Sequence, residues 1–220
     1  MILAAMAMLV GGASAAVRDT ISLNAGWQFH LGELSGIEAV KNAKSERVNL
    51  PHDFLIGQPW VEPDASVRPD NSDAGSNVRS RLSPRGFKEM NVGWYRYVLT
   101  PKAEWKGRRV VLDFQGIMLV GDVWLNGKHI GKTDYGYLGF DTDISSMLKY
   151  DGDNEIIVKA NTQQPNNSRW YTGGGLYRDV NLIVTDKKLY FPRHPLFIRT
   201  ENNKKVKIQA EIACFNKVDN

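Results

Sequence analysis

The chain has a single cysteine, Cys214, in 220 residues. An intrachain disulfide is therefore excluded, and no second thiol is present to build a cysteine metal site. Long apolar runs are also scarce. Residues 2–10 form one, and it is too short to cross a bilayer. Basic runs interleaved with aromatics are missing, although 28 basic residues outnumber 24 acidic ones, so nucleic acid is a poor partner. His30, His129 and His194 are scattered without metal-ligand spacing. No stretch has the sustained 3.6-residue periodicity of a long amphipathic helix, which argues against a helical bundle.

What is present is a core's worth of apolar residues, 42% of the chain, arranged as short strands. Residues 26–31 alternate aromatic and polar, the pattern of a half-buried strand. Residues 37–44 read as a short helical or loop excursion, and 47–50 as a brief strand ended by Pro51. Residues 93–100 form a strong strand stopped by Pro101. In residues 109–114, Val110, Leu112 and Phe114 share one face. The clearest hairpin is 122–130, where Asn126-Gly127 is the favoured two-residue type I′ turn. Thr142 or Asp143 is placed to cap a single helical turn through Leu148. Strands follow at 155–160 and 176–184. Earlier, between the strands at 47–50 and 93–100, residues 58–90 form a long loop rich in Pro, Gly, Ser, Asp and Arg, which includes Arg68, Arg79, Arg81 and Arg85. This loop is either a substrate-cleft edge or a solvated excursion.

The ends differ from the middle. Residues 2–10 followed by Ala13-Ser14-Ala15 have the apolar core and small-residue cleavage site of a signal peptide, without its usual positive start. The mature chain then begins near Ala16 or Val17, in a periplasmic or secreted location. After Asp186 the texture becomes linker-like, with Lys187-Lys188, Pro192 and Pro195. Residues 197–200 and 206–215 then read as two strands of a new unit, too few for a core. These signals divide the chain into a signal peptide (1–16), a β-sandwich (17–186) and an incomplete second β domain (187–220). Unpartnered strands invite association, so deletion after about Asp186 is expected to improve solubility.

Candidate chemistry concentrates in Asn167-Ser168-Arg169-Trp170-Tyr171-Thr172-Gly173-Gly174-Gly175-Leu176-Tyr177-Arg178-Asp179-Val180. Aromatic faces stack on sugar C–H faces, and an arginine fork grips hydroxyls or carboxylates. Asn167 offers both donor and acceptor. Trp170 and Tyr171 suit stacking on sugar or packing against a neighbouring domain, and Trp94 and Trp124 read as core or sheet-face residues. His52-Asp53 follows Pro51 and precedes Phe54, which favours a turn with Asp53 bonding backbone amides or an arginine over an acid/base role. No third group completes a triad. Gly93 and Gly173 to Gly175 read as turn residues.

Taken together, the segments resemble the N-terminal sugar-binding domain of glycoside hydrolase family 2, the family of β-galactosidases, β-glucuronidases and β-mannosidases. The matching pieces occur in order: Gly26-Trp27-Gln28-Phe29, Leu50-Pro51-His52-Asp53-Phe54, Gly93-Trp94-Tyr95-Arg96, Val123-Trp124-Leu125-Asn126-Gly127 with Gly136-Tyr137 and Phe140-Asp141, Gly152-Asp153-Asn154-Glu155-Ile156, and Ser168-Arg169-Trp170-Tyr171 through Val180. The resemblance implies an all-β fold: a jelly-roll sandwich followed by the first strands of an immunoglobulin-like domain. It also implies a catalytic (β/α)8 barrel further on, which would be a partner of this domain. The implied activity is retaining hydrolysis of a terminal β-linked sugar, most like a β-galactosidase, without cofactor or metal. Retention needs two carboxyl groups about 5–5.5 Å apart. In the family both are barrel glutamates, and no catalytic residue is assigned to this chain. Asn154-Glu155 resembles the family's asparagine-glutamate pair but sits in a sandwich turn. The resemblance places Arg169, Asn167 and Trp170 at the substrate. Several relatives carry aspartate where this chain has Arg169, which leaves galactoside hydroxyls, a glucuronide carboxylate or a barrel glutamate as its contact. A free-standing carbohydrate-binding module is the rival reading. A homo-oligomer is a further possible partner state; a membrane is not an expected partner.

Overall fold

The structure, a computed structural model, describes residues 18–61, 88–163, 171–201 and 205–214. Among the described residues there are fourteen strands: β1 (Asp19–Ser22), β2 (Trp27–Leu31), β3 (Glu46–Val48), β4 (Val92–Leu99), β5 (Arg109–Phe114), β6 (Val120–Leu125), β7 (Lys128–Thr133), β8 (Phe140–Asp143), β9 (Asn154–Asn161), β10 (Val180–Thr185), β11 (Leu189–Tyr190), β12 (Leu196–Glu201), β13 (Lys205–Ala210) and β14 (Ala213–Cys214). Ten of them form two antiparallel sheets, one ordered β1-β10-β5-β8 and the other β3-β2-β4-β9-β6-β7. Stacked face to face, these are a jelly-roll β-sandwich.

Alternation makes the core. Val110, Leu112 and Phe114 of β5 and Val180, Leu182 and Val184 of β10 point inward from the smaller sheet. Trp27 and Phe29 of β2, Tyr95 and Leu99 of β4, and Ile156, Val158 and Ala160 of β9 meet them from the larger one. The outer face of the larger sheet carries a second cluster. There Trp94 and Trp124 stack at 6.0 Å, and the excursion through Val40 covers Trp94 and Ile157.

Residues 140–143 form strand β8, which pairs along β5 from Val111 to Phe114. At its end Asp143 caps the single turn that the sequence placed there: its Oδ1 accepts from Ser145 N at 3.0 Å, and Met147 N donates to Ile144 O at 2.9 Å. Two other local readings change. The last sandwich strand begins at Val180 rather than at Leu176. Residues 176–179 instead cross between the sheets, with Leu176 buried in the core. Within the presumed linker, Leu189 and Tyr190 pair with Cys214 and Ala213.

Candidate functional site

The glycine-rich segment is tied to the turn after Pro51 by hydrogen bonds running both ways. His52 N donates to Leu176 O at 2.8 Å, and Phe54 N donates to Gly174 O at 3.0 Å. Gly175 exchanges two bonds with Met118, N to O at 2.8 Å and O from N at 2.9 Å. The glycines are there for close approach as much as for turning. Gly175 has φ +109°, and a Cβ on it would run into the Tyr95 hydroxyl and the His52 carbonyl oxygen. Gly173 has φ +78°, and its Cβ would lie 2.8 Å from Asp53 Oδ2.

Asp53 is the hub of this corner. Its Oδ1 accepts from Leu55 N at 3.0 Å, capping the 3-10 turn Phe54–Gly57, and from Gly174 N at 2.8 Å. Its Oδ2 accepts from the Tyr171 hydroxyl at 2.6 Å. Each bond involves a carboxylate, the stronger class of acceptor. The carboxylate is thus engaged in holding the loop, as the Pro51 and Phe54 context implied.

Beside it, His52 Nδ1 lies 2.9 Å from the Tyr95 hydroxyl, which also accepts from Leu176 N at 3.4 Å. Burial holds the His52 imidazole below its ordinary value, against the pull of the Glu46 and Asp53 carboxylates. Burial likewise pushes the Tyr95 phenol up. A neutral imidazole and a neutral phenol at this contact suit a structural bond rather than proton transfer.

The same loops carry exposed apolar side chains. Tyr171 is 41% exposed, Ile56 66% and Trp60 73%. Trp60 is carried by a two-residue bridge to Lys88, whose ammonium sits 4.1 Å over the ring and donates to Gln58 O at 2.8 Å. Trp60 escaped sequence reading because it stands in an aperiodic loop. Its one signal was a large aromatic in an otherwise polar stretch.

Asn167, Arg169 and Trp170 lie outside the described residues, as do Arg68, Arg79, Arg81, Arg85 and the signal-like segment 1–16. Tyr171, which follows them, is fixed on Asp53. Asn154 and Glu155 lie elsewhere. Asn154 is buried, accepting from Lys149 N and Asn126 Nδ2 at 2.9 Å each. Glu155 pairs with Arg96 at 2.5 Å and Lys41 at 3.2 Å. Among the described residues, no three His, Cys, Asp or Glu side chains gather as a metal site, and no helix is long and apolar enough to cross a membrane.

Comparison with known proteins places this geometry. Residues 86–182 match the family described as the glycosyl hydrolase 2 galactose-binding domain-like domain. The chain is 32% identical over 172 residues to the β-galactosidase BoGH2A of Bacteroides ovatus, covering 76% of this chain and 18% of that protein. It is 30% identical over 183 residues to a β-glucuronidase of Bacteroides fragilis, covering 80% and 22% respectively. A β-glycosidase structure from Bacteroides vulgatus superposes with a TM-score of 0.71 at 30% identity, over 90% of this chain and 25% of that one. The chain therefore spans 18% and 22% of the length of these two curated relatives.

Proposed function

The chain belongs to glycosyl hydrolase family 2 through its galactose-binding-like domain, and from that we propose that it is the N-terminal portion of a retaining exo-β-glycosidase, most like a β-galactosidase. The longer protein hydrolyses terminal β-linked sugars with two carboxyl groups of a catalytic barrel. This domain supplies a wall of the substrate site and a docking surface for that barrel. Arg169, Asn167 and Trp170 contact the sugar. Residues 1–16 direct the protein out of the cytoplasm, and residues 187–220 open an immunoglobulin-like domain.

The observation that carries the reading is the Asp53 hub. A carboxylate buttressed by two backbone amides and the Tyr171 phenol fixes the residue that directly follows Trp170. Preorganising a positioning segment in this way matters because misplacing a sugar by about an ångström costs on the order of a hundredfold in rate. The exposed Trp60, Ile56 and Tyr171 supply apolar side chains of the kind that dock on another domain.

Calorimetric titration of the 220-residue chain with galactose and glucuronic acid tests the division of labour. Binding to each is expected to be very weak, because the site is complete only beside the barrel. Tight binding to either sugar would instead make the chain a free-standing carbohydrate-binding module. Similarity to a β-glucuronidase favours one further reading of the sugar, with Arg169 facing a substrate carboxylate. Turnover of nitrophenyl β-galactoside against the β-glucuronide by the longer protein decides between them. N-terminal sequencing of exported protein is expected to begin near Ala16 or Val17.

A further inference from the structure

Residues 189–195 have the composition of a flexible linker, but each end is engaged on two sides. Asp186 turns the chain first: its Oδ1 accepts from Lys188 N at 2.7 Å and Leu189 N at 2.8 Å. On one flank, β11 pairs with β14, and Glu211 N donates to Pro195 O at 2.7 Å. The chain that returns from the β12–β13 hairpin is thereby hydrogen-bonded to both ends of the segment. On the other flank lies the outer face of the four-stranded sheet. There Arg193 Nη1 meets Asp113 Oδ1 at 2.5 Å. The Arg109 guanidinium, itself paired with Asp143 at 3.2 Å, stacks 4.0 Å from the Tyr190 ring centre.

The sheet is shaped for this contact. Val111 is 1% exposed and Asp113 8%, although both lie on the face of β5 turned away from the core. Gly139 leaves the passage for Arg193: a Cβ there would collide with the Arg193 guanidinium and the Phe114 carbonyl oxygen. Pro192 and Pro195 fix φ within the segment. An exposed ion pair contributes little. Removing one partner from a mostly buried pair, however, strands the other charge in a poor dielectric, and Asp113 is mostly buried.

We propose that residues 189–195 are a fixed joint whose latch is the Arg193–Asp113 pair, and that the outer face of the four-stranded sheet is an intramolecular docking surface holding strands β11 to β14 in one orientation on the sandwich. This holds whichever sugar the longer protein cleaves, and its test does not read activity.

Spin labels at Lys128→Cys on β7 and Lys207→Cys on β13, with Cys214→Ser, report the orientation through a pulsed-EPR distance distribution. The labelled chain is diluted into unlabelled chain to suppress intermolecular distances. A single narrow distribution is expected, broadening at least twofold in Arg193→Ala and in Asp113→Asn. Arg193→Ala alters a residue outside the sandwich, so near-UV circular dichroism should match the parent. Should Asp113→Asn fail to fold, Arg193→Ala and Arg193→Gln carry the test. A distribution already broad in the parent overturns the proposal, and so does one that stays narrow when Arg193 is replaced.

Discussion

Asp53 draws two loops together with one carboxylate, and its replacement separates the contributions. Asp53→Ala removes acceptors from Leu55 N, Gly174 N and the Tyr171 hydroxyl. With hydrogen bonds to a charged group worth about 1.5–3 kcal/mol each, discounted for partial exposure, the expected loss is about 3 kcal/mol. Tyr171→Phe deletes only the exposed bond and is expected to cost about 1 kcal/mol or less. Urea denaturation of the two variants checks the ranking; equal losses would remove Asp53 as the hub. His52 makes a prediction in pH. Its folded-state pKa is depressed by burial, so the unfolded chain binds the proton more readily. Its stabilisation is present above about pH 6.5, the unfolded value, and is lost as pH falls through the lower folded value. Asp113 is shifted the other way, raised chiefly by burial, so its contribution is present below the unfolded carboxylate value and lost as pH rises through the folded one. Subtracting a non-titrating His52→Gln variant isolates the histidine: the difference in urea midpoint should shrink as pH drops below 6.5. The structural role of His52-Asp53 was legible because Pro51 and Phe54 enclose the pair. Trp60 was not legible, because its exposure depends on the bridge to Lys88, which no local pattern announces.

Elements with a local signal were readable. Asn126 at φ +52° and Gly127 at φ +84° form the predicted turn, since both positions of a type I′ turn need positive φ. The side chains add what sequence could not show. Asn126 Oδ1 accepts from Glu155 N at 3.0 Å, and its Nδ2 donates to Asn154 Oδ1 at 2.9 Å. Asn154 Nδ2 in turn donates to Lys149 O at 2.8 Å. Two turns are thus clamped by facing amides, one of them fully buried. Asn154→Ala is expected to destabilise the sandwich by about 3 kcal/mol, because it strands buried partners. Asn126→Gly, which retains the turn geometry, should cost less; thermal denaturation of both checks the order. Elements decided by distant partners were misread. Strand β8 has no local signal of its own and depends on pairing with β5, whereas the turn capped by Asp143 just after it was legible. The strand reading from Leu176 starts four residues early: Leu176 is buried, but Tyr177 and Asp179 are half-buried and Arg178 is exposed before pairing begins at Val180.

At the scale of the molecule, the β12–β13 hairpin has two unlike faces. Leu196, Ile198, Val206 and Ile208 lie on one, in a register that sets Ile198 opposite Ile208. Arg199, Glu201 and Lys207 form ion pairs on the other. Ile198 is 59% exposed and Ile208 67%. An apolar hairpin face with no cover among the described residues is a template for association. Its alternation was legible in sequence. The joint was not, because a Lys-Lys and proline composition reads as a linker until Asp113 and Gly139 are seen to receive Arg193. That changes where a cut should fall. Deletion after Asp186 removes the hairpin but also strips the segment that covers Val111 and leaves Asp113 without its arginine. Replacing Ile198 and Ile208 together by lysine leaves the joint in place, and lysines on exposed strands oppose edge pairing. Sedimentation velocity is therefore expected to show the double variant shifted to monomer relative to the parent, with thermal stability of the sandwich unchanged. The chain cut after Asp186 should be equally monomeric but less stable. Association that persists in the double variant would place the contact elsewhere, with the exposed Ile56, Trp60 and Tyr171 as the next side chains to mutate.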